Sequence, residues 1–154
     1  MSIFRLTLLC VLASLLQQCS FEHKNTNTIM EKKIIFTENA PAPIGPYSQA
    51  VLVGSTLYCS GQIALDTAGN FHNDSIETET KQVMHNISKL LEAANMGFGD
   101  IVKTSIFLTD MNDFAKVNTI YAESFSSNFP ARETVQVSAL PKGAKVEISV
   151  TAVK

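Results

Sequence analysis

The chain has 154 residues, 45% of them hydrophobic, and a formal net charge of −2. This length suits one domain with a real core, and its scattered lysines lack the clustered positive charge that nucleic-acid binding requires. The cysteines, Cys10, Cys19 and Cys59, show no CxxC or Cys/His spacing, so neither a metal site nor a disulfide framework is predicted.

Residues 1–19 have the shape of a signal peptide. Arg5 precedes an apolar run from Leu6 to Leu16. That run is too short for a stable transmembrane helix, which needs about twenty residues. Cleavage before Cys19 and its lipidation would anchor the protein to a membrane, although the preceding glutamine departs from the usual small-residue cleavage site.

The domain boundaries follow from this segment. We expect residues 1–19 to be a signal peptide or lipoprotein signal, residues 20–32 a linker, and residues 33–154 the folded domain. Translation from Met30 is the alternative, and it would give a cytosolic protein. The sequence leaves export and a cytosolic location both open.

The folded part begins with strand and turn signals. "KKIIFT" predicts a first strand, and "NAPAPIGPYSQA", with three prolines, predicts an ordered loop. A hairpin follows, with Val51–Val53 in one strand, Gly54-Ser55 in the turn and Thr56–Ser60 in the return strand.

From Ser75 the apolar spacing becomes helical. One face of the predicted helix carries Ile76, Val83, Ile87, Leu90, Leu91 and Ala94. We expect Glu79 to lie away from that face. Glu77 and Glu79 fall in the first turn, where negative charge interacts favourably with the positive end of the helix dipole. Gly97 is the predicted stop.

The second half predicts a strand, a helix and two strands. The first strand is Ile101–Leu108, and "DMNDFAKVNTIYAESF" has the spacing of an amphipathic helix, with apolar residues at Phe114, Val117, Tyr121 and Phe125. Strands Thr134–Ala139 and Lys145–Val153 then pair as a hairpin around "LPKGA". This order predicts an α+β domain with a single sheet and two helices on one face. The uncovered face predicts a homo-oligomer.

Arg132 and Glu147 are the most informative charged residues. Alternation places Arg132 with Thr134 and Gln136 on one strand face, and Glu147 with Ser149 and Thr151 on the polar face of the last strand. If these strands form a hairpin, both charges line one cleft. They would then grip a substrate carboxylate and orient a water; the alternative is an ordinary ion pair or two solvated charges.

Other candidates are less specific. Tyr47 follows Gly45-Pro46 in the rigid loop and either packs over the sheet or lines a pocket. Ser60-Gly61 either presents a hydroxyl and a close backbone N–H or simply ends a strand. Cys59 is predicted to be a small core residue.

Taken together, four motifs resemble the RidA family (YjgF/UK114), the reactive intermediate deaminases. They are "TENAPAPIGPYSQA", "YCSGQI", "GDIVKTSIFLTDMNDFAKVN" and "FPAR…VQVSALPKGAKVEISVTAV". The resemblance implies a chorismate-mutase-like fold, in a homotrimer whose sheets pack around a barrel-like core with clefts between subunits. It also implies cofactor-independent hydrolysis of 2-imino acids, such as 2-iminobutanoate and 2-iminopropanoate, to 2-oxo acids and ammonia.

The resemblance also implies roles for single residues. Arg132 matches the arginine that binds the substrate carboxylate, and Glu147 matches the glutamate that positions water. The other matching pocket positions are Tyr47, Ser60, Gly61 and Asn118. Glu133 and Thr134 depart from the usual small residue and cysteine after the arginine. Thr134 can still offer its backbone carbonyl to the substrate, whereas the Glu133 carboxylate could compete for the guanidinium.

Two other functions stay open. One is a non-catalytic trimer that binds small carboxylates in the same cleft, with catalysis lost because of Glu133. The other is RNA cleavage with inhibition of translation, against which the acidic balance and the lack of a basic, aromatic surface argue.

Overall fold

The computed structural model describes residues 31–154. The predicted signal segment, the candidate lipidation site Cys19 and the alternative start Met30 lie outside the described residues. Within the described range no helix is both long and apolar enough to cross a membrane. The α-helices and strands are β1 Lys32–Ile35, β2 Ala50–Val53, β3 Thr56–Cys59, α1 Ile76–Ala93, β4 Ile101–Leu108, α2 Phe114–Ala122, β5 Ala131–Gln136 and β6 Val146–Val153.

The strands form one mixed sheet in the order β1-β2-β3-β6-β4-β5. Every neighbouring pair is antiparallel except β4 and β5, which are parallel. Side chains of both helices share one apolar core with one face of the sheet, as Val83 and Val117 do with Ile106 and Ile148. The α+β fold class predicted from the sequence, with two helices on one face of a single sheet, is therefore confirmed.

The predicted pairing of the last two strands is wrong. β5 pairs in parallel with one edge of β4, and β6 occupies the other edge, so the two strands never touch as neighbours. The physical reason is the crossover through α2, which returns the chain to the same end of the sheet and makes β5 parallel to β4. β5 also begins at Ala131 and not at the predicted Thr134.

Two strand predictions are confirmed. The hairpin of β2 and β3 pairs Val53 with Thr56 across the predicted two-residue turn. Gly54 has a φ of 58° there, a left-handed conformation that glycine adopts without steric cost. The predicted strand Ile101–Leu108 is β4 from end to end.

Helix α1 begins as predicted and ends earlier than predicted. The Ser75 hydroxyl accepts a hydrogen bond from the Thr78 N–H, which caps the first turn. The helix stops at Ala93 because Asn95 takes a φ of 57°, so Gly97 is not the stop. The expectation that Glu79 lies off the apolar face is also wrong: it is fully buried.

The second helix is shorter than its sequence pattern. A 3-10 turn, Met111–Asp113, precedes α2, and Asp110 caps that turn by accepting the Asn112 N–H. Of the predicted apolar positions, Val117 and Tyr121 are buried in the core, and Phe125 packs against it beyond the end of the helix.

The two faces of the sheet differ in their cover. The helix-side face carries buried residues such as Ile106 and Ile148. The other face, here called the open face, is not covered by any element of residues 31–154. It presents Tyr58, Lys103, Ser105, Phe107, Glu133, Val135, Glu147, Ser149 and Thr151.

Candidate active site

A pocket of about 310 Å³ forms between the proline-rich loop, the segment after β3 and the start of β6. We call it the Glu147 pocket. It contains four of the residues predicted from the sequence: Tyr47, Ser60, Gly61 and Glu147. Its remaining lining is mostly apolar: Pro41, Ala42, Ile44, Ile63, Leu65 and Pro141, with Gln49 and Gln62.

Buried amides hold the walls of this pocket. The side chain of Gln49, which is 3% exposed, accepts from the Thr37 N–H at 2.8 Å and donates to the Pro41 carbonyl at 2.8 Å. Asn86 of α1 donates to the carbonyls of Ile63 and Leu65 at 3.2 and 2.8 Å. These bonds tie the two loops to buried side chains and give the loop carbonyls hydrogen-bond donors.

Sequence reasoning missed both amides. For Asn86 a signal was present, because it lies one residue from Ile87 and three from Val83 on the apolar side of α1, where a polar residue needs a partner. Gln49 had no such signal in the loop.

The hydroxyls of the pocket are already oriented. Tyr47 is exposed at its ring, and its hydroxyl accepts the Ile44 N–H at 3.1 Å, which orders the loop. Ser60 donates its hydroxyl proton to the Ser48 carbonyl at 2.7 Å. The Ser60 oxygen therefore keeps its lone pairs for a ligand or a water.

Glu147 lies against the backbone of Gly61. Backbone hydrogen bonds between Gln62 and Ile148 tie the two segments together at 2.9 and 3.1 Å. A Cβ atom at position 61 would stand 1.9 Å from Glu147 Oε1, so only glycine allows this approach. Burial raises the pKa of the Glu147 carboxyl above its ordinary value, which makes its carboxylate a stronger proton acceptor than that of an exposed glutamate.

Arg132 lies in a second pocket, of about 470 Å³, which we call the Arg132 pocket. Its lining is Asn118, Tyr121, Ala122, Phe129, Pro130 and Arg132. The guanidinium carbon lies 5.0 Å from the centroid of the Tyr121 ring and 5.9 Å from that of Phe114. The Tyr121 hydroxyl in turn hydrogen-bonds the buried Thr104 hydroxyl at 3.1 Å.

The aromatic rings hold the guanidinium without neutralising it. Among residues 31–154, no carboxylate forms an ion pair with Arg132. Stacking on an aromatic face leaves the N–H edge of an arginine free, and that edge matches a carboxylate in bidentate geometry. The Arg132 pocket therefore has the geometry and charge to bind an anion.

The two pockets lie on opposite faces of the sheet. Arg132 pairs with Thr104 of β4, whereas Glu147 pairs with Phe107. Thr104 and Phe107 are an odd number of residues apart, so their side chains point to opposite faces. The prediction that one cleft of a single chain contains both charges is wrong, and its cause is the mistaken hairpin.

Comparison with known proteins identifies the family. A model of the family described as endoribonuclease L-PSP matches residues 37–154, and the chain is 49% identical over 124 residues to a RutC family protein of Pyrococcus horikoshii, covering 80% of this chain and 98% of that protein. The chain belongs to the RidA family. The human protein named 2-iminobutanoate/2-iminopropanoate deaminase is 48% identical over 124 residues, covering 80% of this chain and 90% of its own length.

Solved RidA structures share the fold. A Rid-family protein of unknown function from Yersinia pestis superposes with a TM-score of 0.78 at 49% identity, covering 80% of this chain and all of that one. Escherichia coli TdcF, solved with bound serine, superposes with a TM-score of 0.75 at 38% identity, covering 79% and 98% of the two chains.

The two departures from the RidA pattern lie on different faces. Thr134 shares the helix-side face with Arg132, and its hydroxyl oxygen is buried with no hydrogen-bond partner among the described residues. Glu133 points to the open face, where Lys103 and Ser105 bind its carboxylate. Hydrogen bonds from Lys103 and then Ser105 lower the Glu133 pKa. Within the chain, Glu133 therefore does not compete for the Arg132 guanidinium.

Metal ligands do not cluster in the described residues. Between residues 31 and 154, no three His, Cys, Asp or Glu side chains come together in a way that could hold a metal ion. Cys59 is buried as predicted, and desolvation raises the pKa of its thiol to about 12. Its thiol is therefore not a candidate nucleophile.

Proposed function

We propose that the protein is a cofactor-independent deaminase that hydrolyses 2-iminobutanoate and 2-iminopropanoate to 2-oxo acids and ammonia. The proposal rests on two side chains. The Arg132 guanidinium lies beside the Tyr121 ring without an ion-pair partner among the described residues, and the Glu147 carboxyl has a raised pKa. The human relative that carries this activity in its name supports the same reaction.

The site that we propose is completed by a second copy of the chain. Arg132 and Glu147 lie on opposite faces, so one copy cannot bring both to one substrate. The open face leaves Tyr58 53% exposed and Val135 41% exposed, which is apolar area suited to burial against another sheet. We propose a homotrimer in which the open faces pack around a barrel-like centre and each cleft joins the Arg132 pocket of one copy to the Glu147 pocket of the next.

In this arrangement Arg132 holds the substrate carboxylate in a bidentate pair. Asn118 lines the same pocket, and the Thr134 backbone carbonyl is the proposed acceptor for the substrate nitrogen. Tyr47, Ser60 and Gly61 surround the reacting end beside Glu147. The serine bound to TdcF is itself a small amino acid with a carboxylate, which supports this class of ligand for the fold.

The chemistry needs one base and an oriented water. Glu147 takes a proton from water as the water oxygen bonds to the iminium carbon, which gives a carbinolamine. The protonated Glu147 then passes that proton to the nitrogen. Finally the C–N bond breaks, ammonia leaves, and Glu147 accepts the hydroxyl proton as the carbonyl forms. Glu147 passes this proton to the departing ammonia, which leaves as ammonium and regenerates the carboxylate. The imine carbon is already electrophilic, so positioning supplies most of the remaining acceleration.

The first experiment measures ammonia release from imine generated in place by an amino-acid oxidase or a threonine dehydratase. Glu147→Gln should lower kcat by roughly 10²- to 10⁴-fold, the usual contribution of a general base. Arg132→Ala should raise KM about 100-fold, because hydrogen bonds to charged groups are each worth about 1.5–3 kcal/mol. Wild-type protein without acceleration would contradict the proposal, and carboxylate binding without turnover would favour the non-catalytic alternative.

The second experiment tests the shared cleft. Neither Arg132→Ala nor Glu147→Gln has an intact site alone, but a mixed trimer contains one cleft with both native residues. Co-expression at equal levels should therefore restore about one quarter of wild-type activity, since three-quarters of random trimers are mixed and each regains one site in three. A double variant, Arg132→Ala with Glu147→Gln in one chain, mixed with wild type provides the control for subunit exchange. No recovery in the first mixture would contradict a cleft built from two copies.

A further inference from the structure

Glu79 is a fully buried carboxylate that the proposed chemistry does not use. It lies on the apolar face of α1, between Ile76 and Val83, with 0% of its surface exposed. Burying a charge is costly unless the charge is hydrogen-bonded or paired. The contacts of Glu79 therefore indicate what the fold gains from it.

Both carboxylate oxygens of Glu79 lie near polar groups of Lys145. Its Oε2 accepts the backbone N–H of Lys145 at 2.9 Å. Its Oε1 has no hydrogen-bond partner among the described residues and lies 3.9 Å from the Lys145 Nζ. The Lys145 carbonyl accepts the Thr109 N–H at 3.0 Å, so this backbone unit is held between α1 and the end of β4.

The segment that Glu79 holds forms one wall of the Glu147 pocket. Pro141 and Glu147 both line the pocket, on either side of Lys145. Between them, Lys142 has a φ of 56°, a left-handed conformation that is uncommon for residues other than glycine, and Gly143 follows with a φ of 74°. Lys145 directly precedes β6 and lies two residues before Glu147, so a shift of the Lys145 backbone displaces the start of the strand that carries Glu147.

We propose that Glu79 is a positioning residue for Glu147. Its hydrogen bond to the Lys145 N–H fixes where β6 begins and thereby fixes the Glu147 carboxylate against Gly61. The inference rests on the proposed function, in which Glu147 is the base. It explains why a carboxylate occupies a helix position whose neighbours are apolar.

The test compares three variants. Glu79→Met has a similar size and no acceptor, Glu79→Gln keeps an acceptor without the charge, and Glu77→Met is the control at a partly exposed site in the same helical turn. Glu79→Met should lower kcat about tenfold with KM within about twofold, since misplacing a catalytic group mainly affects the chemical step. Glu79→Gln and Glu77→Met should resemble wild type.

A readout that needs no turnover separates this inference from the deaminase proposal. Carbon-13 NMR titration of the Glu147 carboxyl should show a raised pKa in wild type, Glu79→Gln and Glu77→Met, and a lower value in Glu79→Met, where the loosened segment admits water. Amide exchange at Val146 and Glu147 should accelerate in the same variant. If Glu79→Met does not fold, Glu79→Ala, which admits water to the Lys145 N–H, should give the same result.

Two results would overturn the inference. One is a Glu147 titration and amide exchange in Glu79→Met that match wild type. The other is Glu79→Gln behaving like Glu79→Met, because the charge and not the hydrogen bond would then be responsible. If wild-type protein is inactive but Glu79→Met still shows these NMR changes, the deaminase proposal is rejected and the positioning role of Glu79 stands.

Discussion

The Arg132 pocket and the Glu147 pocket each contain one ionisable side chain, and the surroundings of these two side chains differ. At the Arg132 pocket, the rings of Tyr121 and Phe114 lie beside the guanidinium, and no carboxylate of residues 31–154 pairs with it. In the Glu147 pocket, burial raises the pKa of a carboxyl that lies against the backbone of Gly61. Fixing a cation by aromatic stacking preserves its charge, whereas burying an acid weakens its ionisation, so the two pockets suit binding and proton transfer respectively.

Among the changes that leave Arg132 and Glu147 in place, Gly61→Ala should produce the largest effect, and it should disturb the Glu147 pocket alone. The new Cβ would stand 1.9 Å from Glu147 Oε1, so the carboxylate must move. We expect kcat to fall roughly 10- to 100-fold while KM changes little. Gly99→Ala is the matched control, because nothing lies within 4 Å of its Cβ. Steady-state kinetics of both variants checks this, and a normal kcat in Gly61→Ala would argue against Glu147 as the base.

Tyr121 tests the other pocket. Tyr121→Leu removes the ring under the guanidinium and should raise KM about fivefold with kcat retained, since a cation–π contact is worth about 0.5–2 kcal/mol. Tyr121→Phe keeps the ring and loses only the hydrogen bond to Thr104, so it should cost about 1 kcal/mol of unfolding free energy and leave KM unchanged. Kinetics and urea unfolding separate the two effects. Equal KM values for both variants would show that the ring does not position Arg132.

The raised pKa of Glu147 predicts a pH dependence with a defined sign. Activity requires the carboxylate, so the acid limb of kcat/KM should lie above the ordinary range of a glutamate. The folded state binds this proton more tightly than the unfolded state, so stability falls as pH rises from the unfolded to the folded pKa. Glu147→Gln should remove that fall. Urea unfolding of both proteins at acidic and neutral pH measures it, and parallel stability curves would contradict a raised pKa.

Glu133 should produce the smallest effect. Its carboxylate is bound by Lys103 and Ser105 on the open face, away from Arg132 in the same chain. Glu133→Gln should therefore change kcat/KM by less than about twofold, as expected for a partly exposed ion pair. A large gain in activity would show that Glu133 reduces substrate binding by Arg132 of a neighbouring copy. The open face and the Arg132 pocket, which are separate in one chain, would then be close together in the assembly.

Much of the fold could be predicted because its signals are local. The strand Ile101–Leu108, the helical spacing that starts after Ser75 and the two-residue turn at Gly54 each depend on a few neighbouring residues. Glu79 and Asn86 were harder, because their partners, Lys145 and the carbonyls of Ile63 and Leu65, lie far away in sequence. A helical pattern shows which face is apolar, but it does not show which polar residue on that face will find a distant backbone group.

The sequence alone determined the order of the elements, the fold class and, through four motifs in register, the family to which the chain belongs. Alternation also placed Arg132 with Thr134, and Glu133 opposite to them, because side-chain direction along a strand is a local property. Only the tertiary structure decided that β6 and β5 flank β4 on different edges, and hence that Arg132 and Glu147 lie on opposite faces. Strand order depends on packing between distant segments, and the alternation within one strand does not show which strand will be its neighbour.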